Sequence, residues 1–222
     1  MIVWYGGAVE PKTSRQRAPE PSERVRDAER TKRRLLEAAL TEFAANGYAG
    51  ARVSAIAERA GVNKQLVSYY FGGKEGLYRA IQREWLDRER DQADRDLPPD
   101  ELMRWYLGQN LADPRIVRLV LWQALAGDGP DEETQEEIEA EQERMRGRQA
   151  HGEIDTDLDP AAVQLAMMGM VFAPVVFSRT ARRLFGVGID APEFETRYGD
   201  TLSRILARLA AAPEHHPEGD HP

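Results

Sequence analysis

Residues 53–78 read VSAIAERAGVNKQLVSYYFGGKEGLY, and the spacing within them leaves the backbone few options. Val53, Ile56, Ala57 and Ala60 recur at helical spacing, and Gly61 follows where a residue free to take positive φ can stop a helix without a Cβ clash. Asn63 then stands where its side chain can cap a second helix. At about 100° per residue, Leu66, Val67, Tyr70 and Phe71 fall on one arc of that helix and Lys64, Gln65, Ser68 and Tyr69 on the opposite one. Two short helices hinged at a glycine, the second with a polar arc facing away from its apolar one, form a helix-turn-helix. The polar arc suits a major groove: Lys donates to phosphate or guanine, Gln bonds adenine bidentately, and Ser and Tyr hydroxyls reach phosphates or base edges.

Helical periodicity continues on both sides of this unit. Leu35, Leu36, Ala39, Leu40 and Phe43 predict a preceding helix that ends at Asn46-Gly47. Residues 74–90 predict a fourth helix carrying Leu77, Ile81, Trp85 and Leu86, read as the only rigid connection between two halves of the chain. Beyond Pro98-Pro99, helices are expected at 100–111, 114–126, 131–151, 160–178 and 192–212. Pro114 and Pro160 each follow an Asp able to cap a first turn. Residues 131–151 are charged almost throughout and read as a solvated outer helix. LAMMGMVFAPVVF is apolar nearly all round, which implies burial against the same chain or a second copy, with Pro174 bending the helix near its end. No strand signal occurs. The expectation is an all-α chain: a mobile arm over 1–26, a helix-turn-helix domain over 27–73, a larger helical effector-binding and dimerisation domain over 74–212, and a disordered tail over 213–222.

A formal net charge of -8 looks wrong for a DNA-binding chain until it is divided by position. Residues 1–90 hold 17 Lys+Arg and 12 Asp+Glu, net +5, and residues 91–222 hold 13 and 26, net -13. A basic head on an acidic body grips phosphates while the body stays off the duplex. Lys12, Arg15, Arg17, Arg24 and Arg26 in the arm can reach an adjacent minor groove, although a solvated tail accounts for most of them. Absence of cysteine excludes disulfides, thiolate metal sites and a cysteine nucleophile. No stretch approaches the ~20 apolar residues of a membrane span, and the opening MIVWYGG lacks the basic start of a signal peptide. The expected location is the cytoplasm.

The run TKRRLLEAALTEFAANGYAGARVSAIAERAGVNKQLVSYYFGGKEGLYRAI, residues 31–81, resembles the N-terminal domain of the TetR family of bacterial transcriptional regulators. Its elements occur in the family's order: AA..EF..NGY closing the first helix, IA..AGV at the turn, and YYF..KE.L leading into the fourth helix. The resemblance implies a repressor that is a homodimer through residues 160–178 and 192–212, a small-molecule cavity in the larger domain, and release from double-stranded operator DNA when an effector binds. With the polar arc read from the residues themselves, the DNA contacts are expected at Arg52, Ser54, Asn63, Lys64, Gln65, Ser68, Tyr69, Tyr70 and Lys74. Two positions depart from the common pattern. Ala51-Arg52 stands where many members carry a capping Thr, and Gln65 and Ser68 stand where a small residue and a phosphate-binding Tyr are common. Neither change breaks the fold, and both bear on the operator sequence.

The expected effector site draws on aromatic residues at the start of the acidic half: Trp85, Trp105, Tyr106 and Trp122, with Gln109 as a polar neighbour. Gln123 and Asn110 are further polar candidates. Met167, Met168, Met170 and Phe172 read first as core and dimer interface. No cofactor and no metal are expected. His151 stands among acids spaced too loosely for a hard-ion loop, and His215, His216 and His221 fall in a Pro-rich tail. The chain carries no GxSxG, no HExxH and no Gly-rich phosphate loop, so an enzyme is not expected. The competing classes are a helical small-molecule-binding or adaptor protein without DNA binding and, behind it, an enzyme on the same fold.

Overall fold

The structure, a computed structural model, describes residues 21–93, 97–127, 129–130 and 135–209. Among the described residues all regular structure is helical, in the order α1 (Pro21–Gly50), α2 (Val53–Ala60), α3 (Gln65–Phe71), α4 (Lys74–Ala93), α5 (Pro99–Ala112), α6 (Arg115–Ala126), α7 (Gln135–Ala150), α8 (Pro160–Val176), α9 (Ser178–Phe185) and α10 (Pro192–Leu206). The expected tail and residues 1–20 of the expected arm lie outside the described residues. Residues 21–26, expected to belong to the arm, form the first turns of α1 instead. No single helix among the described residues is long and apolar enough to cross a membrane.

The head closes around Leu35, Phe43, Ile56, Val67 and Leu77, all fully buried. Phe43 meets Tyr78 edge-on at 5.0 Å and Tyr48 in a stack at 6.0 Å, so three rings from α1 and α4 pin the two helices together. The helix breaks fall where glycine was expected to supply them. Gly47 interrupts α1 at φ 68°, and Gly61 caps α2 at φ 63°. At Gly61 the Val62 N–H donates to Ala57 O at 3.0 Å, the long-range bond of a Schellman motif.

The body is built on α5, α8 and α10. Met103, Leu107, Val163, Met167 and Leu202 form its buried core, and polar bonds fix the packing angles. Arg104 of α5 donates to Ser203 Oγ at 2.9 Å and Asp200 at 2.7 Å on α10, and Asn110 Nδ2 donates to the Val171 carbonyl of α8 at 3.3 Å. Asp159 caps α8 by accepting from the Ala162 N–H at 2.9 Å, and Asp113 accepts from the Arg115 N–H at 3.1 Å at the start of α6. Helix α7 is largely solvent-facing, with Met145 its buried anchor.

Two expectations need correction. The helix expected at 160–178 ends at Val176, and a separate helix, α9, leaves it at 83°. Pro174 explains the weak end: with no N–H it cannot bond the Met170 carbonyl, which accepts the Tyr198 hydroxyl of α10 at 2.7 Å instead. The second correction concerns the link between head and body. Helix α4 is not the only rigid connection, because α6 lies against α1 and sends Leu119 and Ile116 into the head's core. Arg115 clamps this contact, donating to Glu37 at 2.6 Å and Thr41 Oγ1 at 2.8 Å on α1 while paired with Asp113 at 2.6 Å.

Candidate DNA interface and effector cavity

Helix α3 is held by its apolar arc. Val67 is fully buried and Leu66, Tyr70 and Phe71 pack partly against the head's core. Asn63 caps the helix, its Oδ1 accepting the Gln65 N–H at 2.8 Å, which spends the Asn63 oxygen on the fold and leaves its amide N–H groups outward. Helix α3 also sits unusually close to the next helix: a Cβ added at Gly76 would fall on the Phe71 carbonyl, so only glycine lets α4 start there.

The opposite arc is free. Lys64, Gln65 and Ser68 are exposed and Tyr69 is 78% exposed, its ring edge-on to Tyr70 at 4.9 Å. Arg52 and Ser54 at the start of α2 are exposed beside it. Among the described residues Arg52 and Lys64 enter no salt bridge, whereas Arg30, Lys32 and Arg79 on the same head are each paired with a carboxylate on their own helix. Unpaired cations beside a polar arc are what a phosphate backbone requires.

Two of the expected contacts carry structural duties as well. Lys74 Nζ donates to the Ala49 carbonyl at 3.2 Å and lies 4.7 Å from the Tyr48 ring centre, tying the start of α4 to the loop before α2. Tyr70 is half-buried with Lys32 Nζ 5.9 Å from its ring centre. Arg52, standing where many family members carry a capping Thr, makes no side-chain cap on α2. Buried Glu42 compensates from α1, accepting the Arg52 N–H at 3.3 Å. Nothing in the local pattern singles Glu42 out, because it sits ten positions from the residue it serves.

A cleft of about 130 Å³ lies between α4, α6 and α8. Ile81, Gln82, Trp85 and Leu86 face it from α4, Ile116, Leu119, Val120 and Gln123 from α6, and Met168 and Phe172 from α8. Of the expected effector residues Trp85 and the further polar candidate Gln123 line it. Trp122 points the other way and covers the break in α1, where a Cβ added at Gly47 would lie 3.1 Å from its ring. Trp105 stacks edge-on against Tyr106 at 5.0 Å, and Gln109 is exposed on α5. Burial first, and then the Glu89 carboxylate that it bonds, push the Tyr106 hydroxyl far above the usual tyrosine range, so Tyr106 serves the α4–α5 contact. Met168 and Phe172 are wall residues despite reading as plain core. A second cleft of about 280 Å³ shares Ile81 and Ile116 with the first and opens between α1, α4 and α6.

Residues 35–81 match the tetR family of bacterial regulatory proteins, and residues 99–186 match the tetracyclin repressor-like C-terminal domain. A relative from Streptomyces coelicolor, the HTH-type transcriptional repressor SCO4008, is 35% identical over 194 residues, covering 83% of this chain and 97% of its own. The chain belongs to the TetR family. It is a DNA-binding transcriptional regulator. The HTH-type transcriptional regulator RutR of Escherichia coli is 45% identical over 64 residues, 29% of this chain and 30% of its own. Among solved structures, SCO4942 of Streptomyces coelicolor superposes with a TM-score of 0.63 at 24% identity, covering 82% of this chain and 99% of that one. HlyIIR, a hemolysin II transcriptional regulator, superposes at 0.52 with 20% identity, covering 83% and 99%. These two show a shared fold.

Proposed function

We propose that this TetR-family regulator is a cytoplasmic homodimeric repressor that leaves a palindromic operator when a small molecule fills the cavity between α4, α6 and α8. The observation that carries the reading is the divided surface of α3, whose apolar arc is packed and whose Lys64, Gln65, Ser68 and Tyr69 are open to solvent. In this reading Gln65 and Lys64 reach base edges, Ser54, Ser68 and Tyr69 reach bases or phosphates, and Arg52, Asn63, Tyr70 and Lys74 hold the backbone. The division into a head over 27–73 and an effector and dimerisation domain over 74–212 belongs to the same proposal. So does pairing of subunits through residues 160–178 and 192–212. Apolar support for that pairing comes from α8 and α9, where Leu165, Met168, Phe177 and Leu184 are exposed; the exposed side chains of α10, such as Arg197, Thr201 and Arg204, are polar.

Release follows from the two connections. A ligand entering the cavity presses on α4 and α6 together, and both run into the head's core through Ile81, Ile116 and Leu119. A changed separation of the two heads stops the half-site energies from adding on one duplex, and operator must weaken ligand binding by the factor that ligand weakens operator. Selection of bound genomic fragments, with sizing in solution, tests the reading. The expected result is a dimer that selects a palindrome with half-site centres roughly 34 Å apart, one turn of B-DNA. A 25.0 kDa monomer at micromolar concentration, fragments without twofold symmetry, or catalytic turnover in a chain without DNA affinity would contradict it.

A further inference from the structure

The chain turns out of α1 at Gly47, and the side chain that lies over the turn belongs to the body. Gly47 stands at φ 68° and ψ 176°, a conformation open to glycine and essentially closed to other residues. Glycine brings no side chain to hold such a turn and is the most permissive residue when unpacked, so the turn is a joint unless a neighbour covers it. Trp122 of α6 covers it: a Cβ built on Gly47 would lie 3.1 Å from Trp122 Cε3 and 3.2 Å from Cδ2. The tryptophan itself remains 40% exposed, so it does not hold the core of either half together. Residues 48–52 then lead straight into the helix-turn-helix. The Ala51 N–H donates back to the Gly47 carbonyl at 3.2 Å, Lys74 of α4 donates to the Ala49 carbonyl, and α2 starts at Val53. Arg52 and Ser54, two of the expected DNA contacts, take their direction from the angle at Gly47. The body meets this segment a second time at Gly129, after α6, where an added Cβ would lie 3.5 Å from Tyr48 Cβ and 3.4 Å from the Tyr78 ring.

We propose that Trp122 is a positioning residue for DNA binding: its ring fixes the angle at Gly47 and so sets how α2 and α3 stand on the duplex, without contacting the duplex itself. The inference rests on the proposed reading that α2 and α3 meet DNA. Arg115 ties the start of α6 to Glu37 and Thr41 and so holds the two helices side by side, whereas Trp122 acts where the chain turns. Loss of the ring leaves α6 on α1 and frees the joint. A head with a free joint must give up that freedom on binding, which lowers affinity although no contact to DNA is removed. The same ring gives the cleft between α4, α6 and α8 a further line to the head, because Val120 and Gln123 of its wall lie within one turn of Trp122 on α6.

Two measurements on the full chain test this, each with Trp122→Ala and with Trp122→Phe, which keeps a ring over Gly47. Amide hydrogen exchange without DNA should quicken about fivefold or more at residues 48–54 of Trp122→Ala, hold the parent's rate in α5 and α8, and return most of the way in Trp122→Phe. Fluorescence anisotropy on a genomic fragment that the parent selects should show Trp122→Ala binding about fivefold to tenfold more weakly at an unchanged salt slope, with Trp122→Phe within about twofold of the parent. Faster exchange spread evenly over the chain overturns the proposal, as does unchanged exchange at residues 48–54. So does a flatter salt slope, which would mark Trp122→Ala as losing a phosphate contact, or a Trp122→Phe chain as weak as Trp122→Ala. Equal binding by the parent and Trp122→Ala overturns this inference alone and leaves the regulatory reading standing. A parent that binds no duplex overturns the regulatory reading and this inference with it.

Discussion

The head and the body of this regulator are finished to different degrees. In the head, Leu35, Phe43, Ile56, Val67 and Leu77 have no solvent exposure, and Lys64, Gln65, Ser68 and Tyr69 stand exposed on the polar arc of α3. In the body, Leu165 is 71% exposed and Leu184 72%, and a cleft opens between α4, α6 and α8. Exposed apolar side chains in such number mark interaction surfaces. The difference separates two jobs. Under the proposed function, a head that presents side chains to a fixed groove is rigid on its own residues, whereas a body proposed to respond to a ligand and a second copy keeps part of its surface and volume open.

The largest effect should come from breaking the finished half. Phe43→Ala removes a buried ring packed against both Tyr48 and Tyr78 and should cost roughly 3–5 kcal/mol in urea unfolding; a cost below about 1 kcal/mol would mean that the head relaxes as freely as the body. A smaller effect is expected at the seam. Arg115→Ala removes the clamp from α6 to α1 and should cost on the order of 1–2 kcal/mol, since its partners Glu37 and Asp113 are partly exposed. Arg115 holds the Asp113 carboxyl below its ordinary value, chiefly by a side-chain hydrogen bond. A depressed native value contributes stability that is present above the unfolded value and lost as pH falls through the native one. The difference between Arg115→Ala and the parent should therefore hold at neutral pH and shrink in acid, below the ordinary aspartate range. A difference that grows in acid would assign the clamp to another group.

The two halves were also unequally legible in the sequence. Short-range spacing placed Gly47, Gly61 and Asn63 correctly because each acts on backbone within a few residues of itself. The two arcs of α3 were readable for the same reason. The cavity was not, because its wall comes from three helices whose relative rotation no local pattern encodes. Trp122 read as a pocket residue and instead covers Gly47, while Met168 and Phe172 read as core and line the cavity. The 83° turn into α9 was half visible: Pro174 announced a bend, but the new helix depends on Tyr198 satisfying the carbonyl that the proline frees.

Fluorescence anisotropy on operator and scrambled duplexes, titrated over salt, tests the central claim most directly, namely that the open arc of α3 reads bases while the residues around it hold phosphates. Gln65 and Lys74 lie off the buried arcs, so both variants should remain folded, with Lys74→Ala slightly less stable for losing its bond to Ala49. Gln65→Ala should weaken operator binding by roughly 1–3 kcal/mol per base contact, leave scrambled DNA nearly unchanged and preserve the salt slope. Lys74→Ala should weaken both duplexes and flatten the log-log salt dependence by about 0.9 per lost phosphate contact. Equal weakening of operator and scrambled DNA by Gln65→Ala would contradict the account and move base reading to Ser54, Lys64 or Tyr69.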